Sequence, residues 1–330
     1  MDNNNYINDD AKTIHLNNPD KIGIGTAHSK IILMGEHAVV YDYPAIALPF
    51  TSANVKVTIK PSQSEYTHLY SSYYQGVLKD APEHLDNLKE AIEVTISSFK
   101  LKAAPIDITI ESTIPSGRGM GSSAAVTVAL VRSLCDFYGV TITDYQLRFI
   151  VNQAEVIAHE STSGLDTLLA ISSQPFIYHK SGTAKAFSFN LDAYLVVADS
   201  NMPGQTKVAV GKVRQLKEAR PAFIQTAMQA IGGFVQQAFD AIQDKNIIEL
   251  GRLMTYNHYY LNQLEISNPL IDRIVNAAWL AGALGAKLTG GGLGGCIIAL
   301  AETKEQAELI QQAMANAGAS QTWQFDLKTI

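Results

Sequence analysis

An α+β fold in two domains is what this sequence predicts, on three observations. Apolar and polar residues alternate in short runs, at Val55, Val57 and Ile59 and again at Ile106, Ile108 and Ile110, the period of a half-buried strand. Other stretches carry helical spacing, as at Leu85, Leu88, Ile92 and Ile96. The 330 residues exceed what one core usually gathers, and the chain turns from strand-rich to mainly helical near residue 185. The expected domains are therefore 1–185 and 186–330.

In chain order, Lys21 to Met34 reads as a strand broken by a polar corner at His28-Ser29. The strand around Val55 follows, then a helix from Pro82 to Phe99 and the strand at Ile106. Val126 to Leu134 is an apolar helical run, and Asp144 to Glu160 a second helix with Asp144 as its N-cap. Phe176 to Tyr178, Ala186 to Phe189 and Tyr194 to Ala198 read as strands. Gln205 to Leu264 is helical with a break at Arg220-Pro221, and another helix follows Asn268-Pro269. The end reads as strand (Ala286 to Leu288), glycine run, strand (Cys296 to Ala301), helix (Lys304 to Ala317) and strand (Thr322 to Leu327).

Composition excludes several classes. A net charge of −6 argues against nucleic acid as a partner. Two cysteines, Cys135 and Cys296, build neither a disulfide framework nor a zinc site, and they fit a cytoplasmic protein. Residues 1–20 lack the apolar core of a signal peptide, the first dozen are expected to fray, and no apolar run is long enough to span a membrane.

The chemistry concentrates in Pro115-Ser116-Gly117-Arg118-Gly119-Met120-Gly121-Ser122-Ser123-Ala124-Ala125, between a strand and a helix. Glycines let backbone N–H groups converge, and a helix N-terminus attracts anions, so the stretch reads as a phosphate cradle. Its paired hydroxyls can donate to phosphate or ligate Mg²⁺. A tight turn with a Ser N-cap would use the same residues. Glu155 and Asp166 lie on and just past the second helix, where one carboxylate could hold metal and the other accept a proton; a solvated residue and a helix cap are the plainer alternative. His159 shares a helix face with Glu155. Lys30 and the Gly35-Glu36-His37 turn offer a cation and hydrogen-bonding groups. Lys287-Leu288-Thr289-Gly290-Gly291-Gly292-Leu293-Gly294-Gly295-Cys296 holds more glycine than a hairpin needs, which points to close approach of backbone to a ligand or to the first loop.

Lys30 to Tyr41, Pro115 to Ala125 and Lys287 to Cys296, in this order, resemble the three blocks of the GHMP small-molecule kinases, named for galactokinase, homoserine kinase, mevalonate kinase and phosphomevalonate kinase. The resemblance spans nearly the whole chain. Lys30-Ile-Ile-Leu-Met-Gly-Glu-His-Ala-Val-Val-Tyr41, Ala154-Glu155 and Ser163-Gly164-Leu165-Asp166 look most like the mevalonate kinase branch, as does the segment carrying Asn257, Leu261, Leu264, Ile266 and Asp272.

What the resemblance implies is an N-terminal domain like ribosomal protein S5, a ferredoxin-like C-terminal domain, and an active site in the cleft between those domains. It implies Asp166 and Lys30 as catalytic residues. Pro115, Gly117, Gly119, Met120, Gly121, Ser122, Ser123 and Ala124 would wrap the ATP phosphates. Ser123 and Glu155 would ligate Mg²⁺. Lys30, Glu36, His37, Asp166, Thr206 and Gly292 would lie on the substrate side. ATP and mevalonate are the expected small-molecule partners; the sequence leaves the oligomeric state open, a homodimer among the options. His28-Ser29 departs from the Pro-Gly usual before the lysine, and Met120 and Leu293 are smaller departures. The alternatives are a sister kinase of the family, acting on phosphomevalonate, galactose or homoserine, and a nucleotide-binding regulator without catalysis.

Overall fold

The computed structural model describes residues 20–330 apart from 160–163, 182 and 190, and the side chains of residues 158 and 159 are likewise not described. The expected fraying of the first dozen residues, the turn through Ser161 to Ser163 and the His159 side chain lie outside this range. The chain forms two compact units, each assembled from separated segments. Of the described residues, one holds those within 20–27, 55–113 and 123–167; the other holds those within 28–54, 114–122 and 168–330. The division at residue 185 is a proposal about domains along the chain, distinct from these units.

In the first unit, the second half of strand β2 (Ala45–Pro61) pairs antiparallel with β5 (Ile106–Ser112), Val57 opposite Ile110. Strand β5 pairs in parallel with β3 (His68–Tyr70), which forms a short hairpin with β4 (Gln75–Val77). Val55, Val57, Ile59, Ile106 and Ile108 are buried, so the alternation did mark the inward face. Neither β3 nor β4 was legible, since Tyr70 and Gln75 give no apolar run. Helix α1 (Asp86–Ser98) begins later than the spacing suggests, because Glu83–Leu85 is a 3₁₀ turn. It packs against α3 (Asp144–His159). Thr143, not Asp144, caps α3. Its hydroxyl accepts from Gln146 N (3.3 Å) while Gln146 Oε1 accepts from Thr143 N (3.0 Å), a reciprocal pair that satisfies two orphan donors. Helix α2 (Ser122–Tyr138) buries nearly its whole length, Cys135 included, which explains its apolar run.

The second unit contains the first half of β2, pairing with β6 (Phe176–Tyr178), and a four-stranded sheet. Strand β7 is Ala184–Ala186, earlier than the expected Ala186 to Phe189; Phe187 N still donates to Pro175 O at 3.1 Å, and the Phe187 and Phe189 rings pack on each other. The four-stranded sheet runs β11 (Gln321–Asp326), β8 (Tyr194–Asp199), β10 (Cys296–Ala301), β9 (Gly285–Thr289), every neighbour antiparallel. Helices α5 (Thr206–Ala219), α6 (Pro221–Gln243), α7 (Ile247–Gln263) and α8 (Pro269–Leu280) follow β8, and α9 (Lys304–Asn316) precedes β11. This is the β-α-β-β-α-β connectivity of a ferredoxin-like domain with extra helices in the first crossover. The long helical stretch breaks at Arg220 as expected and again before Asn246, whose side chain caps α7. Asn268 caps α8, accepting from Leu270 N and Ile271 N ahead of Pro269. The core joins Val196, Ala198, Leu288, Ile297 and Ala299 of the sheet to Ile224, Ile231, Leu261 and Ile274 of the helices. Among the described residues no helix is long and apolar enough to cross a membrane.

Candidate active site

Three helices of the first unit meet at one carboxylate oxygen. Glu155 Oε1 of α3 accepts from Ser123 Oγ at 2.8 Å and Thr127 Oγ1 at 3.2 Å, both on the first turns of α2. Asn87 Nδ2 of α1 donates to Ser123 Oγ (3.2 Å), Thr127 Oγ1 (3.2 Å) and Glu155 Oε1 (3.4 Å). Glu155, Asn87 and Thr127 are all buried. A buried carboxylate with a hydroxyl beside it, at the N-terminus of a helix that follows a glycine loop, is a hard oxygen set. It fits a divalent cation that takes its other ligands from phosphate and water. Among the described residues no cluster of three or more His, Cys, Asp or Glu side chains could hold a metal. Asp166 is the second residue of α4 (Leu165–Ile171), directly after Gly164 at φ 72°. Asn87 and Thr127 were missed, for an amide and a hydroxyl have no spacing that marks them in sequence.

In the second unit the first glycine loop is held by the later residues of strand β1 (Gly23–Met34). Lys30 Nζ donates to Gly119 O at 2.9 Å, and Lys30 N and Ser29 Oγ both donate to Met120 O, at 3.1 and 2.9 Å. Ser29, one of the two departures at that corner, is therefore a buried staple. Gly117, Gly119 and Gly121 have φ of 68°, 74° and 70°, the left-handed region that side chains resist. Open space surrounds the Cβ position of Gly117, whereas a Cβ on Gly119 would sit 3.5 Å from Gly291 N and one on Gly290 would sit 3.3 Å from Gly119 O. The two glycine loops thus lie backbone to backbone, as the glycine excess suggested. Met120 is buried against Cys296.

Thr206 opens α5 and packs on Gly291, where an added Cβ would meet its Oγ1 at 2.1 Å. Gln205 N donates to Gly292 O at 3.2 Å, and Gly204 N to Gly117 O at 2.7 Å. His37 Nε2 lies 2.8 Å from Gly291 O, so that nitrogen carries the proton. Burial holds the His37 imidazole below its ordinary value, opposed by this bond. Glu36 is fully buried with both oxygens engaged, Oε1 by Lys287 Nζ and Oε2 by Asn257 Nδ2 at 3.0 Å. Burial pulls the Lys287 ammonium below its ordinary value, and Glu36 pulls it back. Sequence reading gave Lys287 no role; its signal was a lysine inside an otherwise apolar strand, β9.

The structure therefore brings together Ser123 and Glu155 in one unit, with Ala124 and Asp166 in the same unit. In the other it gathers Lys30, Gly117, Gly119 and Met120, and links Glu36, His37, Thr206 and Gly292 to the second glycine loop or its flanking strand. Pro115, Gly121 and Ser122 lie on the same segment as Gly119.

Residues 86–174 match the model of the GHMP kinases N-terminal domain and residues 238–320 that of the GHMP kinases C-terminal domain. A mevalonate kinase of Pyrococcus furiosus is 34% identical over 304 residues, covering 86% of this chain and 90% of the relative. The structure of mevalonate kinase from methicillin-resistant Staphylococcus aureus superposes with a TM-score of 0.71 at 32% identity, over 93% of this chain and 99% of that one. That of L. major mevalonate kinase in complex with R-mevalonate gives 0.77 at 25% identity, over 92% and 94%.

Proposed function

The chain belongs to the GHMP kinase family, and from that premise we propose how its residues carry out the reaction of the mevalonate kinases. The activity is ATP-dependent phosphorylation of a small molecule, the 5-hydroxyl of (R)-mevalonate, giving 5-phosphomevalonate and ADP. The observation that carries the division of labour is the 2.8 Å contact between Ser123 and the buried Glu155 at the head of α2.

Phosphoryl transfer needs positioning and charge neutralisation more than covalent chemistry. The N–H groups of the loop from Pro115 to Ala124 and the α2 N-terminus bind the ATP phosphates. Ser123 and Glu155 hold Mg²⁺, which when bound neutralises charge on the phosphate oxygens. Asp166 takes the proton of the acceptor hydroxyl, and Lys30 supplies positive charge for the transferring phosphoryl group. Glu36, His37, Thr206 and Gly292 shape the acceptor side; buried Glu36 does so through the turn it anchors. The same reading puts the enzyme in the cytoplasm.

A coupled ADP-release assay with mevalonate, phosphomevalonate, galactose and homoserine tests it. Turnover is expected with mevalonate. Faster turnover with another acceptor moves the chain to a sister kinase, and ATP binding without turnover on any of the four makes it a regulator.

A further inference from the structure

Arg118 is the one Lys or Arg in the stretch from Pro115 to Ala125, and a cation in a phosphate loop invites assignment to phosphate. Its guanidinium is otherwise engaged. Nε donates to Asp199 Oδ1 at 2.9 Å, one terminal nitrogen donates to Asn201 Oδ1 at 3.2 Å, and the other to Ser116 O at 3.1 Å. All three nitrogens have an acceptor, and the ion pair is largely buried, with side chains 14% and 6% exposed.

Asp199 is a rigid anchor. It ends β8, an inner strand of the four-stranded sheet, and its Oδ1 also accepts from Asn201 N at 2.9 Å, closing a turn in which Asn201 has φ 56°. The next residue, Ser200, donates to Gly295 O from both N (3.1 Å) and Oγ (2.7 Å). A Cβ on Gly295 would lie 2.7 Å from Arg118 O. Gly204 N, further along the same turn, holds Gly117 O. The phosphate loop is thus tied at Gly117 to the segment after β8 and packed at Arg118 against Gly295, which Ser200 holds. Nε on Asp199 fixes where the guanidinium sits, and carrying that charge away to a phosphate would strand a buried carboxylate, which is costly.

We propose that Arg118 and Asp199 form a latch: positioning residues that fix the phosphate loop in its ATP-binding shape, with Arg118 itself making no contact with phosphate. The inference rests on the reading of this loop as an ATP site. The attraction for the nucleotide then comes from loop N–H groups and the α2 N-terminus, and the guanidinium's charge is spent on Asp199.

Mg-ATP affinity by calorimetry, with no acceptor present, separates the possibilities. A wild-type protein that binds no ATP sinks the kinase reading and the latch together; the variants test the latch alone. If Arg118 touched phosphate, Asp199→Asn would release it and tighten ATP or leave it unchanged. As a latch, Asp199→Asn and Arg118→Met each weaken ATP by about tenfold, and the double variant is no worse than either, because coupled residues are not additive. Arg118→Lys keeps the charge but not the fork, so it is expected to bind ATP as poorly as Arg118→Met. kcat at saturating ATP stays within about threefold of wild type in each, since the groups proposed for chemistry are untouched. Tighter or unchanged ATP in Asp199→Asn overturns the latch. So does wild-type affinity in Arg118→Lys, which decides the matter even if Asp199→Asn fails to fold.

Discussion

Lys287 and Glu36 form an ion pair in which neither side chain has any exposure to solvent. Asn257 holds the second carboxylate oxygen, so the charge of Glu36 is fully compensated inside the core. One consequence is local. His37, the next residue, sits at φ 60° with its ring on Gly291 O, so the pair anchors a strained turn that touches the second glycine loop.

Removing the cation alone should be severe. Lys287→Met leaves a buried carboxylate without a countercharge, held by Asn257 alone, and breaking such a pair from one side costs about 3–5 kcal/mol. Urea unfolding reads this. Pairing it with Glu36→Gln should recover part of the loss; a single variant within about 1 kcal/mol of wild type would show that the pair is dispensable.

Stability should fall on mild acidification, through His258. Burial holds its imidazole down to about 4, with Asp272 opposing and Lys287 assisting. The group is depressed in the fold, so its neutral form stabilises above pH ~6.5, the unfolded value, and that contribution is lost as pH falls towards 4. The linkage is worth about 3 kcal/mol at most. Urea unfolding at pH 7, 5.5 and 4.5 should show a shallower acid decline in His258→Asn; identical slopes would clear His258 of the effect.

Glu155→Gln keeps shape and loses charge where the metal is proposed to bind. kcat should drop by roughly 10²-fold or more, as electrostatic groups at the transition state supply several kcal/mol. The midpoint for Mg²⁺ activation should rise while circular dichroism stays unchanged. Near wild-type turnover at limiting Mg²⁺ would remove Glu155 from the metal site.

Asp166→Ala should lower kcat by at least about 10²-fold, the range of general-base loss, with Mg-ATP affinity nearly unchanged. Single-turnover kinetics with mevalonate check it. The assignment of Asp166 as base would be falsified by retention of more than about a tenth of wild-type kcat.

Where sequence reading succeeded, a local pattern existed to be read. Glycine at 117, 119 and 121 announced a loop of left-handed residues, and the crowded glycines after Thr289 announced a backbone-to-backbone approach. Period-two runs located the second half of β2 and β5, and Asn268-Pro269 located the start of α8. What failed needed partners distant in the chain. Asn87 meets Glu155 across 68 positions and Lys287 meets Glu36 across 251, separations that no periodicity encodes. Arg118 was visible as a cation, but its neutralisation by Asp199, 81 positions on, was not. The N-cap of α3 slipped by one residue because Thr143 and Asp144 are both good caps, and only Gln146 decides between them.

The interleaving of the two compact units bears on how the chain is made. The second unit draws on residues 28–54 and 114–122 as well as 168–330. A nascent chain that has left the ribosome as far as residue 185 holds Phe50 without Trp323 and Phe325, the rings it packs against, and Glu36 without Lys287. Apolar strand and buried charge both wait for residues 287 to 325. Domains usually fold in order of synthesis, N-terminal first. Here that order cannot complete the second unit, and a chain cut before residue 287 would strand a carboxylate and an aromatic strand that the first half has already committed.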